Sequence, residues 1–142
     1  MRKKGFTLLE LLMVISIMGI LLSVAVLRFD FFTKLSEEAE VRTVVSQMRY
    51  CRNKAISTGL ETRIKLQQGT DHKLVTLISF GGNHEEKSYS YLKRLSSKGE
   101  IKFSRSGAPV SETSTFTFIF QGRVKNYEIV VRPASGYIYW KK

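Results

Sequence analysis

The sequence is poor in cysteine and proline. Its 142 residues include one cysteine, Cys51, and two prolines, the first of which is Pro109. A single cysteine excludes an intramolecular disulfide. We expect Cys51 to be a small buried residue on a helix, with an intermolecular bridge as the alternative. Because proline breaks helices, its absence before Pro109 leaves room for one long helix.

The residue patterns of common enzyme and metal sites are also missing. Both histidines, His72 and His84, fall in predicted turns and have no cysteine or histidine partner at metal-ligand spacing. The pair Glu85 and Glu86, followed by Lys87, is more typical of a solvated turn than of an acid–base pair. No nucleophile-elbow, zinc-protease, phosphate-loop or dinucleotide motif occurs. We therefore predict no enzyme activity, no catalytic residue, no metal and no cofactor.

Acidic residues are scarce, with 12 Asp and Glu against 23 Lys and Arg, for a net charge of +11. Fourteen of these cations and seven of the anions lie in residues 59–142. This excess suits an anionic partner such as nucleic acid; a solvated basic face, or charge matching to acidic neighbours in an assembly, is the alternative. Tyr137, Tyr139 and Trp140 either stack on bases of single strands or pack into the core and sheet edge. If DNA is contacted directly, we expect phosphate contacts from Arg105, Arg123, Lys125, Arg132, Lys141 and Lys142.

What the chain does have is a long apolar run, residues 6–27, which contains one carboxylate, Glu10, and follows three cations and a glycine. As a helix this run is ~33 Å long, enough to cross a hydrocarbon core of ~30 Å. We predict one membrane-spanning helix, with the preceding cations in the cytoplasm and the rest of the chain outside. Thr7 and Glu10 fit a capping box at the helix start. The alternative is a secretory signal peptide cut near residues 23–25, although the apolar run exceeds the usual ~7–15 residues.

Residues 3–10, KKGFTLLE, resemble the signature of type IV pilins and pseudopilins. The resemblance implies that a prepilin peptidase removes the leader, residues 1–5, by cutting between Gly5 and Phe6, and then methylates the new amine of Phe6. It also implies that Glu10 neutralises the amine of a neighbouring subunit during assembly. The implied partners are other pseudopilins in a mixed filament, the prepilin peptidase and, indirectly, an assembly ATPase and a membrane platform.

The apolar pattern predicts that the helix continues through residues 28–58 and ends at Gly59. Its charged residues, Glu37, Glu38, Arg42, Arg49, Arg52 and Lys54, are interpreted as a solvated face. The stripe expected to pack on a globular domain has a helical spacing of three and four, with Val45 and Ile56 alongside; its members are Val41, Val44, Met48, Cys51 and Ala55.

Residues 59–142 alternate polar and apolar side chains between turn signals, which predicts strands. The expected strands are residues 62–66, 73–80, 89–92, 100–103, 116–120, 127–132 and 137–140. The fold class is therefore α+β. A long N-terminal helix, whose first half is the membrane or filament core, packs by its second half on a C-terminal antiparallel β-domain, as in pilins.

The layout of the last strands, residues 101–138, resembles the β-domain of minor pseudopilins of the secretion H and competence types. The chain most resembles the D-type competence pseudopilins of the Com G operon of Gram-positive bacteria. This implies a minor subunit of a filament that captures DNA for transformation, present at the cell surface when assembled. Two alternatives stay open: a minor subunit of type II secretion or of a type IV pilus, and a membrane-tethered binding domain that never polymerises.

Overall fold

A single helix dominates the fold. The computed structural model describes residues 7–94, 99–110 and 115–141, and for residues 24–30 the backbone only. Helix α1 (Leu8–Thr58) has 51 residues, a contour length of about 77 Å at ~1.5 Å per residue. It begins at the predicted capping box of Thr7 and Glu10 and ends at Gly59, whose φ of 64° favours glycine. The predicted continuity of the helix across residue 28 is therefore confirmed.

Eight strands follow the helix in the described part of the chain, and they form two antiparallel four-stranded sheets. In chain order they are β1 (Thr62–Gln68), β2 (Leu74–Phe80), β3 (Asn83–Ser88), β4 (Lys93–Arg94), β5 (Glu100–Phe103), β6 (Phe116–Gln121), β7 (Asn126–Val131) and β8 (Ile138–Lys141). The first sheet has the order β3-β2-β1-β5 and the second the order β4-β6-β7-β8. Six of the seven predicted strands are confirmed, with ends shifted by one or two residues.

The predicted third strand, residues 89–92, is wrong. The chain instead pairs Asn83–Ser88 with β2, so that Ile78 lies opposite Glu85, and residues 89–92 form a loop. All six residues of β3 are exposed, because this strand is the edge of its sheet, and its sequence therefore lacks the alternation of a half-buried strand. His84 and the pair Glu85 and Glu86 consequently lie in a strand and not in the predicted turn.

The core lies between the predicted helix stripe and both sheets. All five stripe residues and Val45 are buried, whereas Ile56 is 48 % exposed and lies outside the core. The largest buried side chains from the sheets are Phe103, Phe118, Phe120 and Tyr127. The alternation of residues 116–120 is reproduced, since Phe116, Phe118 and Phe120 are buried and Ile119 is exposed.

Cys51 is a core residue, as predicted. Its side chain is fully buried, and its thiol donates to the Thr62 hydroxyl oxygen at 3.2 Å. The Thr62 hydroxyl in turn donates to the Cys51 carbonyl at 2.8 Å. Burial raises the pKa of the Cys51 thiol to about 11. A buried and protonated thiol is unreactive, which argues against the alternative of an intermolecular bridge.

Candidate assembly and domain-anchoring site

The start of the helix holds the carboxylate of Glu10 close to the end of the chain. The Thr7 amide donates to Glu10 Oε2 at 3.0 Å, the Thr7 hydroxyl donates to the same oxygen at 3.1 Å, and the Glu10 amide donates to the Thr7 hydroxyl oxygen at 3.3 Å. Gly5 and Phe6, the predicted cleavage and methylation positions, lie outside the described residues. The carboxylate therefore binds the amide of the residue that follows Phe6 in the sequence.

The first four turns of the helix present an unpartnered apolar surface. Leu8 is 82 % exposed, and the hydroxyl of Ser16 donates to the Leu12 carbonyl at 2.8 Å, so this polar group is satisfied within the helix. In the described range, no helix is both long and apolar enough to count as a membrane span; the predicted span, residues 6–27, extends past the described side chains at both ends. Large exposed apolar surfaces mark sites of protein or membrane contact. The exposed members are Leu8, Leu9, Leu11, Leu12, Met13, Val14, Ile15, Ile17, Met18, Ile20, Leu21 and Leu22.

Glu37 was expected on the solvated face of the helix, and this expectation is wrong. Its side chain is fully buried. One carboxylate oxygen accepts the amides of Arg123 at 2.5 Å and Val124 at 3.2 Å, and the other accepts the Tyr127 hydroxyl at 3.1 Å. A Cβ at Gly122 would meet this carboxylate, which explains glycine at that position. Glu37 thus anchors the turn between β6 and β7 to the helix.

Glu40 anchors a second loop in the same way. Its Oε1 accepts the Ser90 amide at 2.8 Å, and its Oε2 accepts the amides of Tyr91 at 2.9 Å and Leu92 at 3.2 Å. These three residues form the loop that replaces the predicted third strand. Because Glu37 and Glu40 are three residues apart on one helix, they lie on one face and fix both loops relative to each other.

The sequence did carry a signal for Glu37. It precedes Val41 by four residues, so it continues the spacing of the apolar stripe towards the N-terminus. A carboxylate in register with a buried stripe indicates a buried acceptor, because such a charge must find hydrogen-bond donors. Glu40 has no comparable signal, since its donors are backbone amides of a loop that lies far away in the sequence.

Two arginines fasten the other end of the domain to the helix. Arg49 Nη2 donates to the Ile138 carbonyl at 3.0 Å. Arg52 donates from Nε to the Gly107 carbonyl and from Nη2 to the Ser135 carbonyl, both at 3.2 Å. Both arginines were expected on the solvated face: Arg49 is exposed, as predicted, but also binds the start of β8, whereas Arg52 is partly buried and binds two turns of the β-domain. The helix therefore holds the domain by polar contacts at both ends of the buried stripe.

Of the predicted phosphate-binding residues, Arg123 and Lys125 lie together on the turn between β6 and β7. The Lys125 ammonium pairs with the Glu38 carboxylate at 3.4 Å and lies 4.9 Å from the centre of the Tyr127 ring. Arg123 gives its backbone amide to Glu37, while its side chain is exposed. Lys125 is therefore partly neutralised by Glu38, whereas Arg123 has no ion pair with any residue that the structure describes.

The other predicted phosphate contacts are dispersed. Arg132 follows the last residue of β7 and so lies at the opposite end of that strand from the β6–β7 turn. The Lys141 ammonium pairs with the Glu128 carboxylate at 2.9 Å. Arg105 is exposed in a different turn, and Lys142 lies outside the described residues. The described members of the predicted set therefore do not form one patch.

The three C-terminal aromatic residues differ in environment. Trp140 is partly buried and packs against the core, with its ring centre 6.2 Å from that of Tyr127. Tyr137 is 58 % exposed, and its ring lies 5.8 Å from that of the partly buried Tyr139. Packing into the core, one of the two predicted roles, is therefore confirmed for Trp140.

In the part of the chain that the structure describes, no group of three or more His, Cys, Asp or Glu residues is arranged to hold a metal ion.

Both the N-terminal motif and the fold are similar to those of known proteins. Residues 1–26 match the family model of the prokaryotic N-terminal methylation motif. Two crystal structures of the type IV minor pilin FimU of Pseudomonas aeruginosa PAO1 are similar to this chain. The structure in space group P65 has a TM-score of 0.59 at 17% identity, and the similarity covers 74% of this chain and 92% of FimU. The structure in space group P21 has a TM-score of 0.61 at 17% identity, covering 78% and 92%. No curated protein sequence matches the chain. The chain is type IV pilin-like in its N-terminal motif and in its α+β fold.

Proposed function

We propose that the protein is a minor structural subunit of a type IV pilus-like filament. The observation that carries the proposal is the exposed apolar surface of the first helix turns, which has Glu10 near its start and no partner among the described residues of the β-domain. The methylation motif in residues 1–26 supports prepilin-type processing of the same segment. We assign cleavage to the bond between Gly5 and Phe6 and methylation to the amine of Phe6.

Before assembly, the apolar segment anchors the chain in the cell membrane, with the β-domain outside the cytoplasm. In the filament, the same segments pack side by side, and Glu10 of one subunit neutralises the N-terminal ammonium of a neighbour. An uncompensated charge in an apolar environment costs several kcal/mol. Pairing of the two charges therefore selects one axial register during assembly. The membrane platform and the assembly ATPase act on this segment, and the prepilin peptidase acts on its leader.

We assign the filament to DNA uptake during transformation, as a competence pseudopilus. The support is the charge of residues 59–142, where basic residues outnumber acidic ones two to one. A minor subunit of type II secretion or of a type IV pilus is the alternative. Deletion of the protein should abolish transformation while protein secretion continues; loss of secretion with intact transformation would favour the alternative.

Glu10→Gln tests assembly, because glutamine keeps a capping box but removes the charge. We expect normal insertion and processing of this variant, with Phe6 as the methylated first residue by mass spectrometry, and strongly reduced recovery in sheared filaments. The matched control is Thr7→Val, which removes the two capping contacts of the Thr7 hydroxyl and leaves the charge, and should still assemble. Normal incorporation of Glu10→Gln, or an equal defect in Thr7→Val, would refute the charge-pairing role. A chain that keeps its leader in the presence of the peptidase would instead be a plain membrane anchor.

A further inference from the structure

A cleft of about 480 Å³ opens at the junction of three loops of the β-domain. Its walls come from the turn between β1 and β2, from the loop anchored by Glu40 and from the turn anchored by Glu37. The volume lies in the range of ~300–1,000 Å³ typical of ligand sites. The lining residues are Asp71, Lys73, Ser90, Tyr91, Lys93, Gln121, Gly122 and Arg123.

The cleft collects three cations, two of which have no acidic partner among the described residues. Lys93 and Arg123 form no ion pair with any of the described residues. Lys73 has one contact, to Asp71 at 3.7 Å, and both side chains are largely exposed, so this pair contributes little. The side chains that line the cleft therefore include three cations and one carboxylate, while Glu37 and Glu40 lie behind the walls with their oxygens occupied by amides. A concave surface lined by one sign of charge focuses the field on a ligand.

The walls are held in place before any ligand arrives. Glu40 binds three successive amides of one wall, and Glu37 binds two successive amides of another. Both glutamates lie on the same face of a rigid helix, so the spacing between the two walls is fixed. Because those amides are already occupied, a ligand would be held by the side chains of Lys73, Lys93 and Arg123. Preorganised sites lose less entropy on binding.

We propose that this cleft binds the phosphodiester backbone of DNA, with Lys73, Lys93 and Arg123 contacting successive phosphates. Three separated cations around an open cleft match a ligand that carries repeated negative charges. A ligand with a single carboxylate would pair with only one of the three cations. The half-buried ring of Tyr91 lines the same cleft and offers an aromatic face to an unpaired base. The proposal rests on the DNA-uptake part of the proposed function and replaces the dispersed set predicted from the sequence, of which it keeps Arg123.

The test compares two triple variants that remove the same charge. K73Q/K93Q/R123Q neutralises the cleft, and K102Q/K125Q/K141Q neutralises lysines that are paired with Glu100, Glu38 and Glu128. The full chain in uncharged detergent micelles is titrated against fluorescent duplex DNA between about 50 and 200 mM salt, and binding is followed by anisotropy.

We expect the cleft variant to lose about tenfold or more in affinity at the low-salt end, with the slope of log K against log salt reduced by up to about 3, because each phosphate contact contributes ~0.9. The control should lose at most about threefold in affinity, with a smaller change of slope. Arg123→Gln alone should reduce the slope of log K against log salt by about 1. Trp140 fluorescence reports whether the triple variant is folded, and if it is not, the single variant replaces it in the test. Equal losses in both triple variants, or no DNA binding by the unmodified chain, would overturn the proposal.

Two further measurements separate the cleft from filament assembly and from lipid. The cleft variant should enter filaments normally, since its substitutions lie outside the apolar segment. Loss of DNA binding with normal assembly supports the cleft, whereas failure of the unmodified chain to enter filaments, with DNA binding retained, refutes the filament model and leaves the cleft standing. Vesicles containing phosphatidylglycerol, offered in place of DNA, should bind more weakly than DNA. Tighter, cleft-dependent binding to these vesicles would assign the site to lipid headgroups and overturn the DNA proposal.

Discussion

Replacement of Glu37 by alanine should destabilise the fold more than any other single change on the charged face of the helix. Glu37 is fully buried and accepts three hydrogen bonds, from two amides of the β6–β7 turn and from the Tyr127 hydroxyl. Glu37→Ala removes both acceptor oxygens, and with them all three hydrogen bonds. The turn then loses its link to the helix, and the Tyr127 hydroxyl loses its partner inside the core.

The loss in free energy of unfolding depends on which of the three donors can form a hydrogen bond to water instead. Hydrogen bonds to a charged group contribute about 1.5–3 kcal/mol each. Arg123 and Val124 are exposed, so their amides regain water and the cost there is small. Tyr127 is 1 % exposed, so an unsatisfied hydroxyl costs about 1–3 kcal/mol, and the cavity left by the shorter side chain adds to it. We expect a total of about 3–5 kcal/mol, which for a domain of this size lowers Tm by roughly 10–20 °C.

The assay is urea unfolding of the full chain in neutral detergent, followed by fluorescence. Trp140 is the only tryptophan and packs against Tyr127, so its emission reports on this end of the core. Glu38→Ala is the control, because it removes only the partly exposed pair with Lys125 and should cost at most about 1 kcal/mol. A cost below about 1 kcal/mol for Glu37→Ala, or equal costs for the two variants, would refute the reasoning.

Two further predictions concern the buried titratable groups. Because the Cys51 thiol is buried and its pKa is raised to about 11, iodoacetamide at pH about 8 should label it slowly in the native chain and rapidly in urea; complete labelling of the native chain by mass spectrometry would contradict its burial. Burial also raises the pKa of Tyr89 to about 12, so the unfolded chain, with a pKa of about 10, releases this proton first. The contribution of the Tyr89 proton to the free energy of unfolding is complete below pH about 10 and is lost as pH rises towards 12. The urea midpoint should therefore fall over this window, less steeply in Tyr89→Phe, and a midpoint that rises with pH would contradict the assignment.

Features set by local sequence could be predicted, because their determinants are close together in the chain. The capping box needs only Thr7 and Glu10, and the helix end needs only Gly59. The buried stripe follows from helical spacing alone, and the strand at Phe116–Gln121 follows from alternation over a few residues. In each case the physical cause acts within one or two turns of helix or one strand.

Features that depend on partners far away in the sequence were missed. Strand β3 is entirely polar and exposed, and its position is set by its register with β2 across the Gly81–Gly82 turn, not by its own pattern. The cleft joins Lys73 and Arg123 from two turns with Lys93 from the short strand β4, and nothing in the sequence near any of them indicates the other two. The charge of the β-domain could be counted from the sequence, but its distribution depends on which cations find acidic partners.

Three of the four glutamates of the helix, Glu10, Glu37 and Glu40, show why the same residue type serves different purposes. Glu37 and Glu40 find five backbone amides and one hydroxyl within the chain, so their charges are stabilised by the fold itself. Glu10 finds only Thr7 among the described residues, and the helix around it is apolar. A capping contact satisfies hydrogen bonds but leaves a net negative charge, which an apolar surrounding destabilises. In the filament that we propose, the apolar surface is covered, and the ammonium at the start of a neighbouring subunit would supply the cation that balances Glu10.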